Sequence, residues 1–195
     1  MPATHDEDNL RFVFDDQWQV VRLDQCDFFR NHLMPLQLTK SVDFVGLHGG
    51  RAVYLVEVKD YRGFRIELKN DEKMCDGDTL HLQVARKVKD SVACLLGAAR
   101  ACDEALSPYC SHRMLTDSDF LRVVFWLEFD PSDKRRYRDP AHREAAMKAE
   151  ASTREKQLKQ ALSWLTKHVV VANQSIAPGT LPGTTVRDLG RAGVR

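Results

Sequence analysis

Residues 40–63 read KSVDFVGLHGGRAVYLVEVKDYRG, and two β-rich runs within them, Ser41–Leu47 and Ala52–Lys59, flank the turn-forming residues His48, Gly49, Gly50 and Arg51. This pattern is a hairpin signal. The second run is apolar on both faces until its end, as expected of a central strand buried on two sides. Glu57 and Lys59 stand two apart near that end, so their side chains leave the same face. Burying a carboxylate and an ammonium there is costly unless they are paired or hold a metal. The chain carries the same Glu-x-Lys string at Glu67 and Lys69, but in a polar stretch entering a loop. Asp43 interrupts the first apolar run, and the turn decides whether it meets Glu57. A two-residue Gly49-Gly50 turn pairs Asp43 with Val56 and separates the acids; a three-residue loop, Gly49-Gly50-Arg51, pairs Asp43 with Glu57. Glycine suits the left-handed position of that loop, so the second register is expected, with about 5 Å between the two β-carbons.

Outward from the hairpin, Leu10–Phe14 and Trp18–Leu23 read as short strands and Gln25–Leu33 as a helix stopped near Pro35. A long helix is predicted from about Thr79 to Ala105, with Leu82, Ala85, Val88, Val92, Leu95 and Leu96 keeping a helical period. Phe120–Phe129 reads as another buried strand, Pro140–Lys167 as a second helix and His168–Ala172 as a last β-like run. The fold expected is α/β, a mixed sheet flanked by helices. Residues 1–173 read as one domain and residues 174–195 as a Gly/Pro-rich C-terminal tail with little to bury.

A chain of 195 residues with 43% hydrophobic content can build a proper core. No run approaches the roughly 20 apolar residues of a membrane span, and the acidic start is unlike a secretory signal. The five cysteines show no zinc-ligand rhythm, and free thiols fit a reducing cytoplasm. His48, His81 and His112 are likewise scattered without ligand spacing. The net charge of +1 hides an asymmetry: residues 1–78 carry 15 acids against 10 bases, and residues 79–195 carry 13 against 19. An acidic half suited to metal and a basic half suited to phosphate agree with a nuclease.

Two facing carboxylates, Asp43 and Glu57, suit Mg²⁺ or Mn²⁺, which take oxygen ligands and keep several waters. Lys59 could orient the attacking water or neutralise the scissile phosphate. The same spacing also fits a structural salt bridge joining Lys59 to Asp43 or Glu57. The string Asp43-x13-Glu57-x-Lys59 resembles the catalytic hairpin of the PD-(D/E)XK nucleases, which share the restriction-endonuclease-like fold. The resemblance spans about residues 18–130, with Val42 where the motif's proline stands. It implies an αβββαβ core, Mg²⁺ (or Mn²⁺) held by Asp43 and Glu57, and a Lys59 that assists phosphodiester cleavage.

The resemblance also implies supporting residues. Asp24 or Asp27 would supply an acid ahead of the hairpin, with Asp24 preferred; a solvent-facing acid at a helix start is the plain alternative. Gln83 and Lys87, one helical turn apart, share a face that could reach phosphate or water, or simply be exposed. Arg62 could pair with Asp60 or touch a phosphate. The run Lys134, Arg135, Arg136, Tyr137, Arg138 suits a nucleic-acid backbone and equally a solvated loop. The function expected is a metal-dependent deoxyribonuclease of bacterial defence or repair, with RNA also open as substrate. It would act as a homodimer or within a larger multi-protein complex; the alternative is a non-catalytic nucleic-acid-binding or scaffold subunit of the same fold.

Overall fold

The strands in the computed structural model, which describes residues 2–63, 79–110, 113–130 and 139–190, are β1 (Ala3–Glu7), β2 (Leu10–Phe14), β3 (Trp18–Val21), β4 (Phe44–His48), β5 (Ala52–Asp60), β6 (Leu121–Glu128), β7 (Val169–Ala172) and β8 (Thr184–Asp188). They form a five-stranded sheet in the order β3-β4-β5-β6-β7 and a three-stranded sheet in the order β1-β2-β8. In the larger sheet β3, β4 and β5 are antiparallel, whereas β5, β6 and β7 run parallel. The parallel pairs need crossovers, and two helices supply them, α1 (Leu80–Arg100) and α2 (Pro140–Ala161). The class is mixed α/β, as expected. No helix among the described residues is long and apolar enough to cross a membrane.

Strand β5 is buried without a break from Ala52 to Val58 because both of its faces are covered. Val53 and Leu55 join α1 and α2 in one apolar cluster. Ala52, Tyr54, Val56 and Val58 join the small sheet in a second. β2 anchors that second layer: Leu10, Phe12 and Phe14 are fully buried, and Phe12 meets Trp126 edge-on with ring centres 5.6 Å apart. The hairpin closes as a three-residue loop. His48 pairs with Ala52, Arg51 N–H donates to the His48 carbonyl at 3.0 Å, and Gly49 and Gly50 take φ of +55° and +63°. These angles lie in the left-handed region that favours glycine.

Gly46 is needed for a different reason. A Cβ there would sit 2.7 Å from the Trp18 ring, which crosses β4 directly. Gly46→Ala is therefore expected to cost about 1–3 kcal/mol through overpacking, read as a lowered midpoint in urea or thermal melts. An unchanged midpoint would show that Trp18 moves aside freely.

Several elements differ from expectation. Gln25–Leu33 is not one α-helix: a 3₁₀ turn at Leu23–Gln25 leads to a wider helical segment at Phe29–Leu33, where Met34 N–H reaches back to the Phe29 carbonyl at 2.8 Å. Only Phe29 of that segment is well buried, so no apolar stripe holds a regular helix there. The third antiparallel strand of the large sheet is β3, ahead of these turns rather than after them. Of the expected tail 174–195, the described residues 174–190 are not a mere trailing end, since they include β8, which pairs with β2, and a buried Leu181. Trp18 Nε1–H donates to the Pro182 carbonyl at 2.7 Å and pins the approach to β8. α1 keeps its predicted period but buries Leu80, Val84, Val88, Val92 and Leu95, leaving Leu82 exposed.

Candidate active site at the end of the central strand

The pairing of Phe44 with Val56, continued one step, sets Asp43 opposite Glu57. This is the register expected of the Gly49-Gly50-Arg51 loop. Asp43 stands just before β4, where its Oδ2 replaces a main-chain acceptor and takes the Val58 N–H at 2.7 Å. α1 secures this strand entry: the Ser91 hydroxyl accepts from Val42 N–H at 3.0 Å, and Asp90 accepts from Lys40 N–H at 3.2 Å. One turn earlier on α1, Lys87 reaches the acids. Its Nζ lies 2.6 Å from Glu57 Oε1 and 3.8 Å from Asp43 Oδ1, while Lys59 Nζ lies 3.7 Å from the same Glu57 oxygen.

Glu57 is 1% exposed, and its second oxygen, Oε2, is buried with no hydrogen-bond partner. Burial first, and then the charge of Asp43, raise its pKa from 4.5 to about 7 against the opposing pull of Lys87 and Lys59. Burial works against the Lys87 ammonium too, but Glu57 and Asp43 outweigh it and hold Lys87 above the ordinary lysine value. The two shifts describe one contact from both ends. Lys87 gains from the pair, yet Glu57 remains the stressed partner because both lysines approach Oε1 and neither serves Oε2.

A third carboxylate borders the site. Glu7, at the end of β1, forms an ion pair with Arg22 at 2.9 Å, and burial followed by the charge of Asp43 raises its pKa. The β1–β2 turn carries it there by docking on the end of β5, where Asp60 N–H donates to Asp8 Oδ2 at 3.0 Å. Asp24 is not drawn in: it is half exposed, with Arg22 Nε 3.5 Å away. Gln83 stands one turn before Lys87 on the same side of α1 and is half-buried. Arg62 is engaged elsewhere, in ion pairs with Asp60 and Asp188 that tie the end of β5 to β8. Lys134, Arg135, Arg136 and Arg138 lie outside the described residues.

The residues fit a hard divalent cation on one observation, the partnerless Glu57 Oε2 beside Asp43. Among the described residues, no group of three or more His, Cys, Asp or Glu side chains converges as a ligand set. Two carboxylates with the remaining positions left to water and phosphate is the manner in which Mg²⁺ is commonly bound. Glu7 and Ser91 carry no signal of this role in the sequence, the first sitting in a polar run and the second inside a helix. No protein-family model, no curated protein and no solved structure matches the chain.

Proposed function

We propose that this chain is a nuclease of the PD-(D/E)XK type, with a restriction-endonuclease-like core, that hydrolyses DNA phosphodiesters with Mg²⁺ or Mn²⁺. The observation that carries the reading is the buried Glu57 beside the half-buried Asp43, a pair that faces two lysines and keeps one Glu57 oxygen unsatisfied. Asp43 and Glu57 would hold the ion. When bound, it supplies charge stabilisation at the phosphate and lowers the pKa of a coordinated water. Lys59, more exposed at 36%, is suited to meeting the scissile phosphate or its water. Lys87 keeps the Glu57 carboxylate in place.

One observation favours the scaffold alternative: Lys87 already lies 2.6 Å from Glu57 and could neutralise a site that has no metal. Calorimetry with Mn²⁺ separates the two readings. Because Glu57 titrates near 7 in the metal-free protein, the nuclease reading expects binding to release up to one proton at pH 6 and to tighten between pH 6 and 8. It also expects plasmid and oligonucleotide cleavage that depends on the ion. An absence of both heat and cleavage would leave the scaffold reading.

A further inference from the structure

A cavity of about 310 Å³ lies between the first turn of α1, the middle of α2 and Phe125 of β6. That volume equals roughly ten waters at about 30 Å³ each and falls at the lower end of ligand pockets. Leu80 and Phe125, both nearly inaccessible, form its apolar side. His81, Thr153, Arg154 and Gln157 supply its polar edges. Charge there is balanced. Arg154 donates to Glu150 at 3.0 Å and lies over the Phe129 ring, 4.8 Å from its centre. Burial depresses the pKa of His81, which keeps its imidazole neutral at neutral pH.

The position of the cavity gives it meaning. Phe125 lines the cavity and is the register partner of Glu57 on the neighbouring strand β6, so the cavity opens on the strand next to the one that carries Glu57. A strongly charged site and a recess of balanced charge with one apolar side therefore lie on adjacent strands. A nucleotide has the same division, with an anionic phosphate beside an uncharged planar base whose edge forms hydrogen bonds. We propose that the cavity receives the nucleobase next to the phosphate attacked at Asp43 and Glu57. The protein then acts on single-stranded or frayed ends, where a base is free to leave the stack. This inference rests on the nuclease reading above.

The test is a binding scan with a short single-stranded oligonucleotide in Ca²⁺, which takes oxygen ligands as Mg²⁺ does. Each nucleotide is made abasic in turn. One position is expected to weaken binding roughly 5- to 100-fold, the range that loss of one buried base implies. Thr153→Trp, a change at an exposed position of α2, should fill the cavity and abolish that dependence. A flat scan, a scan unaltered by Thr153→Trp, or no binding at all overturns the proposal. Cleavage of the same strands in Mg²⁺ judges the nuclease reading separately. A position-dependent scan without cleavage sinks that reading and leaves the cavity assigned, whereas cleavage with a flat scan does the reverse.

Discussion

Glu57→Gln is expected to abolish the proposed ion-dependent DNA cleavage and at the same time to stabilise the protein at and above neutral pH. The first effect follows because the amide keeps the shape but loses the charge that would hold the ion. An ion supplies several kcal/mol of transition-state stabilisation, so a loss of about 10³-fold or more is expected. The second effect follows from linkage. The pKa of Glu57 is raised from 4.5 to about 7 on folding. Its contribution to stability is therefore fully present below about pH 4.5 and lost as the pH rises through 7, where a charged carboxylate must be kept buried. A shift of that size corresponds to on the order of 3 kcal/mol. Glutamine does not titrate, so the advantage of Glu57→Gln is small at pH 5 and near its full value at pH 8. Urea melts at the two pH values, alongside plasmid cleavage, check both halves. A Glu57→Gln protein that cleaves like the wild type ends the nuclease reading. One that gains no stability at pH 8 shows that Glu57 is better satisfied than its orphaned oxygen indicates.

The central part of this site could be read from residues because short-range rules govern it. Strand alternation alone puts Glu57 and Lys59 on one face, and the Gly49-Gly50-Arg51 loop sets the register that brings Asp43 to Glu57. β5 and β6 were visible as unbroken apolar runs for the same reason. What escaped depends on partners distant in sequence. β1 and β8 read ATHDE and TTVRD, with almost no apolar signal, and become strands only because β2 lies between them. Glu7 reaches the site through that sheet, more than 30 residues before Asp43 in the chain. Asp24 follows the same logic: the segment ahead of the hairpin is a 3₁₀ turn rather than a helix start, and it leaves Asp24 half exposed beside Arg22. Lys87 could be placed on a face of α1 by periodicity, but its contact with Glu57 depends on how the crossover packs.

Lys87 and Lys59 are therefore expected to behave as different kinds of residue although both approach Glu57. Lys87→Met removes the closest cation from a carboxylate that is 1% exposed. Breaking one partner out of a buried pair costs about 3–5 kcal/mol, because the remaining charge is left without compensation. Glu57 escapes part of that cost by taking up a proton, so the loss is greatest near pH 8 and shrinks as the pH falls toward 5. Lys59→Met removes a cation that is 36% exposed and 3.7 Å away, and its effect on stability should stay within about 1 kcal/mol. Its effect on cleavage should be large, about 10²- to 10³-fold, if it serves the phosphate or the attacking water. The double variant Glu57→Gln with Lys87→Met distinguishes a broken ion pair from simple damage to α1. With both charges gone, most of the stability lost in Lys87→Met should return, apart from the roughly 1 kcal/mol of a neutral hydrogen bond. If the double variant is as unstable as Lys87→Met alone, then Lys87 supports the packing of α1 through its stem, and the electrostatic account of Glu57 loses its main partner.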